Sequence, residues 1–289
     1  MLMKPIASSL LVLSRLAVFA PAQVTSVPPK LESGRTVERE IAGGESHTYQ
    51  VKLTAGQLVR ITLQQKRVDV AVQLVTPDSK PLVEVNFTDG FGQESLSQDV
   101  AVGGDYRIVI RTVTATARKG AYEAKLEMKA AATAQDKQRI EAERLQAEAY
   151  KLSDRGAAAL EPTVEKAQQA LSLWRGLGDR YWEAYTLGLI GYAYLNGNKH
   201  DQAIEYYNQA LAIRRELKDR YAEANTLSGL AWINSQLNRR EKAIEYYEDA
   251  LRTYRELKEK SGVASAHLNL GFEHIQIGRY EKAIEYLEP

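Results

Sequence analysis

The 289-residue sequence contains no cysteine. The chain therefore cannot form a disulfide, bind zinc or an iron–sulfur cluster through thiolates, or use a cysteine nucleophile. With only four histidines, it also offers little material for imidazole chemistry. These absences exclude many of the common enzyme mechanisms for this chain.

The sequence also has no large excess of positive or negative charge and no long apolar run. Lys and Arg number 38 against 37 Asp and Glu, so no global basic field favours nucleic acid. No apolar run reaches the roughly 20 residues of a transmembrane helix, and we expect no membrane span. The composition, 44% hydrophobic and 26% charged, is that of a globular protein. The length fits about two domains of roughly 150 residues each.

Residues 1–22 have the features of an export signal. Lys4 gives a positive start, residues 6–20 are mostly apolar, and residues 20–22 (Ala-Pro-Ala) match an A-x-A cleavage site. We therefore predict an extracytoplasmic protein, periplasmic or secreted, that begins at Gln23 after cleavage. Arg15 interrupts the apolar run, which leaves a disordered segment or a wrongly assigned start as the alternative.

The segment that follows carries strand signals. From Leu31 to Met128 the sequence breaks into short runs rich in Val, Ile, Thr and Tyr, separated by Gly, Asp, Ser and Pro. Apolar and polar residues alternate within the runs, a period of two that predicts strands with one buried face. About eight strands without a helical crossover favour an antiparallel sandwich over a parallel sheet. We predict a beta-sandwich over residues 30–128 and an Ala-rich linker at 129–136.

The turn and strand residues that carry these signals are, in order, Gly44, Tyr49, Val51, 55–59 (Ala-Gly-Gln-Leu-Val), 69–70 (Asp-Val), 77–78 (Pro-Asp), 103–106 (Gly-Gly-Asp-Tyr) and 120–122 (Gly-Ala-Tyr). Their order resembles the pre-peptidase C-terminal (PPC) domain, a jelly-roll-like sandwich found in many secreted bacterial proteins. The resemblance implies an accessory module, in some cases calcium-binding or carbohydrate-binding, that supplies no catalysis.

The sequence of the sandwich favours neither calcium binding nor carbohydrate binding. Four aspartates could offer oxygen ligands to calcium: Asp69, Asp78, Asp89 and Asp105. They are far apart in the sequence and no dense Asp/Asn loop is present, so we interpret them as turn residues and predict no metal and no cofactor. Carbohydrate binding lacks an exposed aromatic platform, because the tyrosines of the module alternate inward and only Phe87 and Phe91 remain.

Beyond residue 136 the sequence repeats itself with a fixed period of 40. Residues 202–207 (Gln-Ala-Ile-Glu-Tyr-Tyr) recur in closely similar form at 242–247 and 282–287, and 179–181 (Asp-Arg-Tyr) recur at 219–221. Each unit has Leu or Ile followed by a small residue, then a turn, then the Ala-Ile-Glu-Tyr segment. The pattern predicts one helix-turn-helix pair per unit. The second helix is amphipathic, with an apolar stripe of Ala203, Ile204, Tyr207, Ala210 and Leu211.

This recurrence in register, with Leu-x-Asp-Arg junctions at 177–180 and 217–220, resembles the tetratricopeptide repeat (TPR) in the longer form of kinesin-light-chain-like arrays. It implies an all-alpha superhelix over residues 137–289. The units are a degenerate one at 137–178, full ones at 181–220 and 221–260, and a partial one at 261–289. The pattern stops at Pro289 with Ile284 and Leu287 uncovered. We therefore expect the natural protein to continue, or a second copy to associate with this uncapped repeat.

The resemblance also implies a binding groove, because the first helices of such repeats line a concave surface that binds an extended peptide or a partner helix. The implied partner-binding residues are Tyr185, Tyr192, Asn196, Asn225, Trp232, Gln236, Phe272 and Gln276. Tyr192, Trp232 and Phe272 form an aromatic ladder at a spacing of 40, suited to anchoring a partner. Asn196, Gln236 and Gln276 form an amide ladder at the same spacing, and amides suit pairing with a peptide backbone. The alternative is packing between repeats for the aromatics and plain solvation for the amides.

Catalytic motifs are missing from the repeats. His267 and His274 are seven residues apart, about 10 Å along a helix, and the sequence has no H-E-x-x-H, no phosphate-binding Gly loop and no G-x-S-x-G elbow. The basic pairs 214–215 and 239–240 have acidic neighbours, which predicts a solvated face and not a phosphate site. We predict no enzyme activity in this chain.

The sequence thus predicts an exported scaffold for protein–protein interaction that binds a peptide or partner protein in its groove. An alternative comes from bacterial chains that this one resembles, in which an export signal and a TPR array continue into a caspase-like CHAT protease. In that case residues 1–289 are the regulatory or substrate-recruiting arm of a peptidase whose catalytic His and Cys lie beyond Pro289. The reading frame downstream of Pro289 distinguishes the two.

Overall fold

The computed structural model of the protein describes residues 31–88, 90–117 and 119–288. Two sequence-based interpretations, the export signal at 1–22 and the role of Asp89, fall outside the described residues. The described chain forms an antiparallel two-sheet sandwich followed by eight alpha-helices, which is the fold class that the two sequence periods predict.

Two four-stranded sheets make up the sandwich. The strands are β1 Thr36–Ile41, β2 Ser46–Leu53, β3 Leu58–Lys66, β4 Val70–Val75, β5 Pro81–Val85, β6 Gln93–Asp99, β7 Gly104–Thr112 and β8 Gly120–Lys129. One sheet has the order β1-β8-β3-β6 and the other β2-β7-β4-β5. Every hydrogen-bonded pair of neighbours runs antiparallel.

The alternation of apolar and polar side chains decides which face of each strand is buried. On β3, Val59, Ile61 and Leu63 are fully buried in the main apolar core. Tyr49 and Tyr122 are buried as well, and their hydroxyl groups form a hydrogen bond of 2.7 Å. This bond gives each buried hydroxyl group a partner, so two tyrosines can occupy an otherwise apolar interior.

The helices follow one another as antiparallel pairs. They are α1 Ala134–Ser153, α2 Leu160–Leu177, α3 Arg180–Asn196, α4 His200–Glu216, α5 Arg220–Gln236, α6 Arg240–Glu256, α7 Lys260–Gln276 and α8 Tyr280–Leu287. A short 3-10 helix at Gly156–Ala159 joins α1 to α2. Helix α1 begins inside the segment predicted as a linker, where Thr133 and Asp136 form a capping box that fixes its first turn.

A residue with left-handed backbone conformation follows each helix from α2 to α7. These residues lie at intervals of 20: Gly178, Asn198, Lys218, Asn238, Lys258 and Gly278. The next N–H in each case bonds back into the last helical turn, as Asp179 N does to the carbonyl of Trp174 at 3.0 Å. Because one helix and its turn fill each interval, a helix pair fills two intervals, which together equal the period of the sequence.

A buried glutamate joins successive pairs. Glu183 accepts hydrogen bonds from Arg175 Nε at 2.9 Å and from Arg180 Nη1 at 2.6 Å, and its side chain is 7% exposed. Glu223 has the same two contacts one repeat later, with Arg215 and Arg220. Two guanidinium groups per carboxylate compensate for its loss of water, so the charged group is tolerated inside the junction.

Two further properties concern the whole described chain. None of its helices combines the length and the apolar content needed to cross a bilayer. Within residues 31–88, 90–117 and 119–288, no group of three or more His, Asp and Glu residues is placed to hold a metal ion. Asp69, Asp78 and Asp105 therefore do not come together as a calcium site.

Gly176 and Gly178 allow a matched test of the left-handed turn. A Cβ added at either glycine would contact nothing within 4 Å, so only the backbone distinguishes them. Gly178 has a φ of 66°, and we expect Gly178→Ala to lower the free energy of unfolding by about 1 kcal/mol. Gly176 lies within α2, so Gly176→Ala should raise that free energy by about 0.5 kcal/mol. Urea denaturation measures both, and effects of the same sign would contradict this account of the turn.

Candidate functional site

Helices α3, α5 and α7, the first of each pair, carry the aromatic ladder. Tyr192 is 41% exposed and Phe272 is 48% exposed, although both are large aromatic side chains. Trp232, on α5 between them, is half-buried and packs partly against the core of the second and third units. Two of the three rungs are therefore open to solvent, and packing between repeats accounts only for part of the third.

A cavity of about 630 Å³ lies beside α3, and it brings together Tyr185, Tyr192, Asn196 and Asn225. These are four of the eight residues predicted for the groove. The other four, Trp232, Gln236, Phe272 and Gln276, lie further along the array on α5 and α7 and do not line this cavity. Asn225 is held in place by Tyr254, whose hydroxyl donates to Asn225 Oδ1 at 2.6 Å.

The opposite wall of the cavity comes from the degenerate first unit. Its lining residues are Tyr150, Ser153 and Asp154 at the end of α1 and Gly156 and Ala157 in the 3-10 helix. Sequence reasoning missed this wall, because the segment carries no repeat in register and its position follows only from packing. The degenerate unit therefore closes one end of the cavity.

Arg214 was also missed, and the interpretation of residues 214–215 as a solvated pair is wrong for Arg214. Arg215 is exposed and pairs with Glu223, as that interpretation requires. The Arg214 side chain instead points inward and lines the 630 Å³ cavity and a second one of about 180 Å³. Burial lowers the pKa of the Arg214 guanidinium from its ordinary value.

A signal for this inward arginine exists in the sequence. Arg214 lies seven residues after Tyr207 and four after Ala210, on the same helical stripe as these buried residues. At a spacing of 40, the equivalent residues are Trp174 and Tyr254, both buried. An arginine in place of a core aromatic is thus visible as a break in the repeat pattern.

The second cavity lies where the sandwich meets the helices. The loop between β5 and β6 places Phe87, 8% exposed, with its ring 5.9 Å from that of Trp182. Tyr185 donates a hydrogen bond to the Phe87 carbonyl, and the rings of Phe91 and Tyr221 are 4.5 Å apart. The prediction that Phe87 and Phe91 remain as exposed aromatics of the sandwich is therefore wrong for Phe87, which is buried between sandwich and helices.

Polar contacts strengthen the same junction. Glu143 on α1 is buried, and it accepts hydrogen bonds from Ser97 N at 2.7 Å and Ser95 Oγ at 2.8 Å on β6. The Tyr181 hydroxyl on α3 accepts from Gln93 N at 2.7 Å. Each contact joins an early helix to β6, so the sandwich and the first helices form one packed unit.

A fully buried carboxyl group holds the loop from the side of the sandwich. Glu94 accepts hydrogen bonds from Phe87 N at 2.9 Å, from Thr88 N at 2.7 Å and from Gln65 Nε2 at 3.3 Å. Burial, with a smaller contribution from the nearby Asp69 carboxylate, nevertheless raises the pKa of Glu94 to about 8. Ionisation of Glu94 therefore affects the loop that carries Phe87 to the helices.

Comparison with known proteins supports the repeat assignment. The tetratricopeptide repeat model matches residues 164–216, 197–256 and 264–288, so the helical part of the chain contains tetratricopeptide repeats. Such repeats fit a scaffold for protein interaction. No curated protein matches the chain.

Several solved structures are similar to part of the chain. BtubC (BKLC) from P. vanneervenii is 24% identical over 54% of this chain and 73% of its own, with a TM-score of 0.35. The apo form of RapI is 16% identical over 50% of this chain and 53% of its own, with a TM-score of 0.47. The TPR domain of Arabidopsis FLU is 18% identical over 41% of this chain and 98% of its own, with a TM-score of 0.39. These similarities concern the fold alone.

Glu94 makes the free energy of unfolding depend on pH in a way that can be measured. Its pKa is about 8 in the folded protein and about 4.3 in an unfolded chain, so unfolding releases a proton between these values. The free energy of unfolding should therefore fall as the pH rises from about 5 to 8, by up to about 1.4 kcal/mol per pH unit. Urea denaturation across this range should show a slope in the wild type that is smaller by this amount in Glu94→Gln. Glu143, whose pKa burial also raises, contributes to the slope of both proteins. An unchanged slope in the variant would contradict the assignment to Glu94.

Proposed function

We propose that the protein is an exported interaction scaffold that binds an extended peptide, or an extended segment of a partner protein, along helices α3, α5 and α7. The aromatic ladder carries the proposal. Tyr192 and Phe272 are 41% and 48% exposed at equivalent positions two repeats apart, with Trp232 midway between them. Partly exposed aromatic side chains in a row supply the anchors that dominate binding energy at protein interfaces.

The amide ladder supports an extended ligand. Asn196 is half-buried, whereas Gln236 and Gln276 are exposed. None of these three side chains has a hydrogen-bond partner among the described residues, so their donors and acceptors are free for a ligand. An amide offers both a donor and an acceptor, which is what the backbone of an extended peptide requires.

The sandwich fits the role of an accessory module in this proposal. The order of its turns and strands resembles PPC domains, which accompany secreted proteins. Its loop between β5 and β6 packs on α3 and α5, so the sandwich holds the first repeats in a fixed position. Self-association through α8, where Ile284 is 52% and Leu287 43% exposed, belongs to the same proposal and stays a prediction.

A second function rests on resemblance alone. Bacterial chains with an export signal and a TPR array that continue into a CHAT protease favour a role for residues 1–289 in recruiting substrate to a peptidase. The reading frame downstream of Pro289 tests this alternative. A continuation with one His and one Cys in strand-end contexts would support it, and an immediate stop would remove it.

Export can be tested apart from binding. We expect residues 1–30, fused ahead of a signal-less alkaline phosphatase in a bacterial host, to produce active enzyme, because that enzyme needs an oxidising compartment. Replacement of residues 6–14 by a polar segment is the control and should abolish activity. Equal activity from both fusions, or none from the first, would contradict export.

The ladder proposal predicts a separation of binding from stability. Peptides are first selected on the wild-type protein from a random dodecapeptide library with free carboxyl termini. We expect Tyr192→Ala and Phe272→Ala each to weaken binding of the selected peptides by about 2 kcal/mol, because both side chains are exposed anchors. Their free energies of unfolding should change by less than about 1 kcal/mol. Trp232→Ala should reduce both quantities, because this side chain is partly packed in the core.

Leu82→Ala on β5 is the matched control for this experiment, since Leu82 is 43% exposed but lies in the sandwich. It should leave peptide affinity unchanged. Calorimetric titration and urea denaturation give the two quantities. Failure to select any peptide, or equal loss in the Leu82 variant, would reject the groove as the binding surface.

A further inference from the structure

Arg214 occupies a position where the neighbouring repeats have a core aromatic. Its equivalents, Trp174 on α2 and Tyr254 on α6, are 0% and 5% exposed. Arg214 itself is partly exposed and lines both cavities beside α3. The middle repeat has thus exchanged an apolar side chain for a permanent positive charge at the floor of the proposed groove.

The protein uses only one end of this guanidinium group. Arg214 Nη1 donates to the carbonyl of Ala222 at 3.1 Å and to Thr226 Oγ1. In the described part of the chain, Nε and Nη2 donate to no protein atom. These two groups form the edge of a guanidinium that binds the two oxygens of a carboxylate in parallel. The free edge is therefore the one that can bind both oxygens of a carboxylate.

No acid of the described chain occupies that edge, since Arg214 forms no ion pair with any described carboxylate. The carboxylate of Asp219 raises the pKa of the Arg214 guanidinium but does not pair with it. The Asp219 side chain caps α5 instead, by accepting a hydrogen bond from Ala222 N at 3.2 Å. Asp154 lines the far wall of the 630 Å³ cavity and makes no ion pair with a described residue. The charge of Arg214 is left without a counter-ion, in contrast to Arg215 and Arg220, which both bind Glu223.

Gly188 provides the room for this arrangement. A Cβ at Gly188 would lie 2.9 Å from Arg214 Nη2, and the equivalent positions one and two repeats later carry Ser228 and Leu268. Gly188 also lines the 630 Å³ cavity. The absence of a side chain at this position therefore lets the guanidinium group reach the cavity from α4.

We infer that Arg214 binds a carboxylate of the peptide ligand, through the edge formed by Nε and Nη2, at the floor of the cavity lined by Tyr185, Gly188 and Asn225. This inference rests on the proposed function and adds the chemistry of the partner. The ligand carries an acidic side chain or a free carboxyl terminus at the point where it crosses α3. A carboxylate there supplies the counter-ion that the protein lacks.

The test uses the random dodecapeptide library with free carboxyl termini, selected on the wild-type full chain and in parallel on Arg214→Gln. The wild type should enrich peptides with a carboxylate at one fixed position. Arg214→Gln should lose this preference and bind the enriched peptides roughly 10- to 100-fold more weakly, as expected for the loss of a charge-assisted pair. Arg215→Gln, which changes the neighbouring arginine outside the cavity, is the matched control and should bind within about twofold of the wild type.

Two further comparisons do not depend on how Arg214→Gln folds. Replacing the enriched acid by its amide, Glu→Gln in the peptide or an amidated carboxyl terminus, should cause the same loss on the wild-type protein, and it identifies which of the two carboxylates is bound. Gly188→Ala should displace the guanidinium group. It should therefore weaken binding of the acidic peptides and leave the affinity of their amide forms unchanged.

The outcomes separate this inference from the proposed function. Enriched peptides without a fixed carboxylate, or equal affinity of acid and amide forms, would overturn the role of Arg214 and leave the groove in place. Equal weakening by Arg215→Gln would show a general charge effect and would overturn it as well. If no peptide is enriched on the wild type, the groove and the role of Arg214 are both rejected.

Discussion

The packing of the loop between β5 and β6 onto α1 and α3 is the contact on which the arrangement of this molecule depends. The apolar core of the sandwich continues through Phe87 into Trp182 and Trp174, so one core serves both secondary-structure types. Glu94 holds the loop from within the sandwich, and Tyr185 and Tyr181 bind its ends from the helices. Without this contact Trp182 would lose the Phe87 ring from its packing, and Tyr185 would lose its hydrogen bond to the Phe87 carbonyl.

The repeats differ at individual positions. The first two junctions bury a glutamate between two arginines, but residues 259–263 read Glu-Lys-Ser-Gly-Val and cannot repeat this contact. At the opposite end of the same helices, Arg240 at the start of α6 binds Glu273 near the end of α7 at 3.0 Å, with Ser235 beside them. Arg214 is a second departure, at a position that packs as an aromatic elsewhere. A chain that repeats a structural unit can thus vary single positions for binding, because the turns and the buried stripe already specify the helices.

Much of the fold could be predicted from the sequence. The period of two in Val59, Ile61 and Leu63 and the longer period of the helices each reflect a face that must be buried, and such faces are visible without a structure. The same register places Tyr192 and Phe272 at equivalent positions, but it leaves open whether they pack between repeats or face solvent. The junction could not be predicted, because Phe87 and Trp182 are far apart in sequence. Phe87 lies outside the repeats, and the positions equivalent to Trp182 in the later units carry Ala222 and Gly262. Arg214 could have been identified from its equivalents Trp174 and Tyr254, but its charge suggested a surface position.

The left-handed residues that end the helices at regular intervals also bear on how such a protein can change in length. A segment of one full repeat begins and ends at the same point of the backbone pattern. Duplication or deletion of one such block in the gene would therefore leave every remaining helix in contact with a compatible neighbour. A length that is not a whole number of repeats would put the following helices out of register with their neighbours. The array can thus gain or lose one position of its aromatic ladder in a single genetic event. Under the proposed function, the length of the bound peptide segment would change in the same discrete steps.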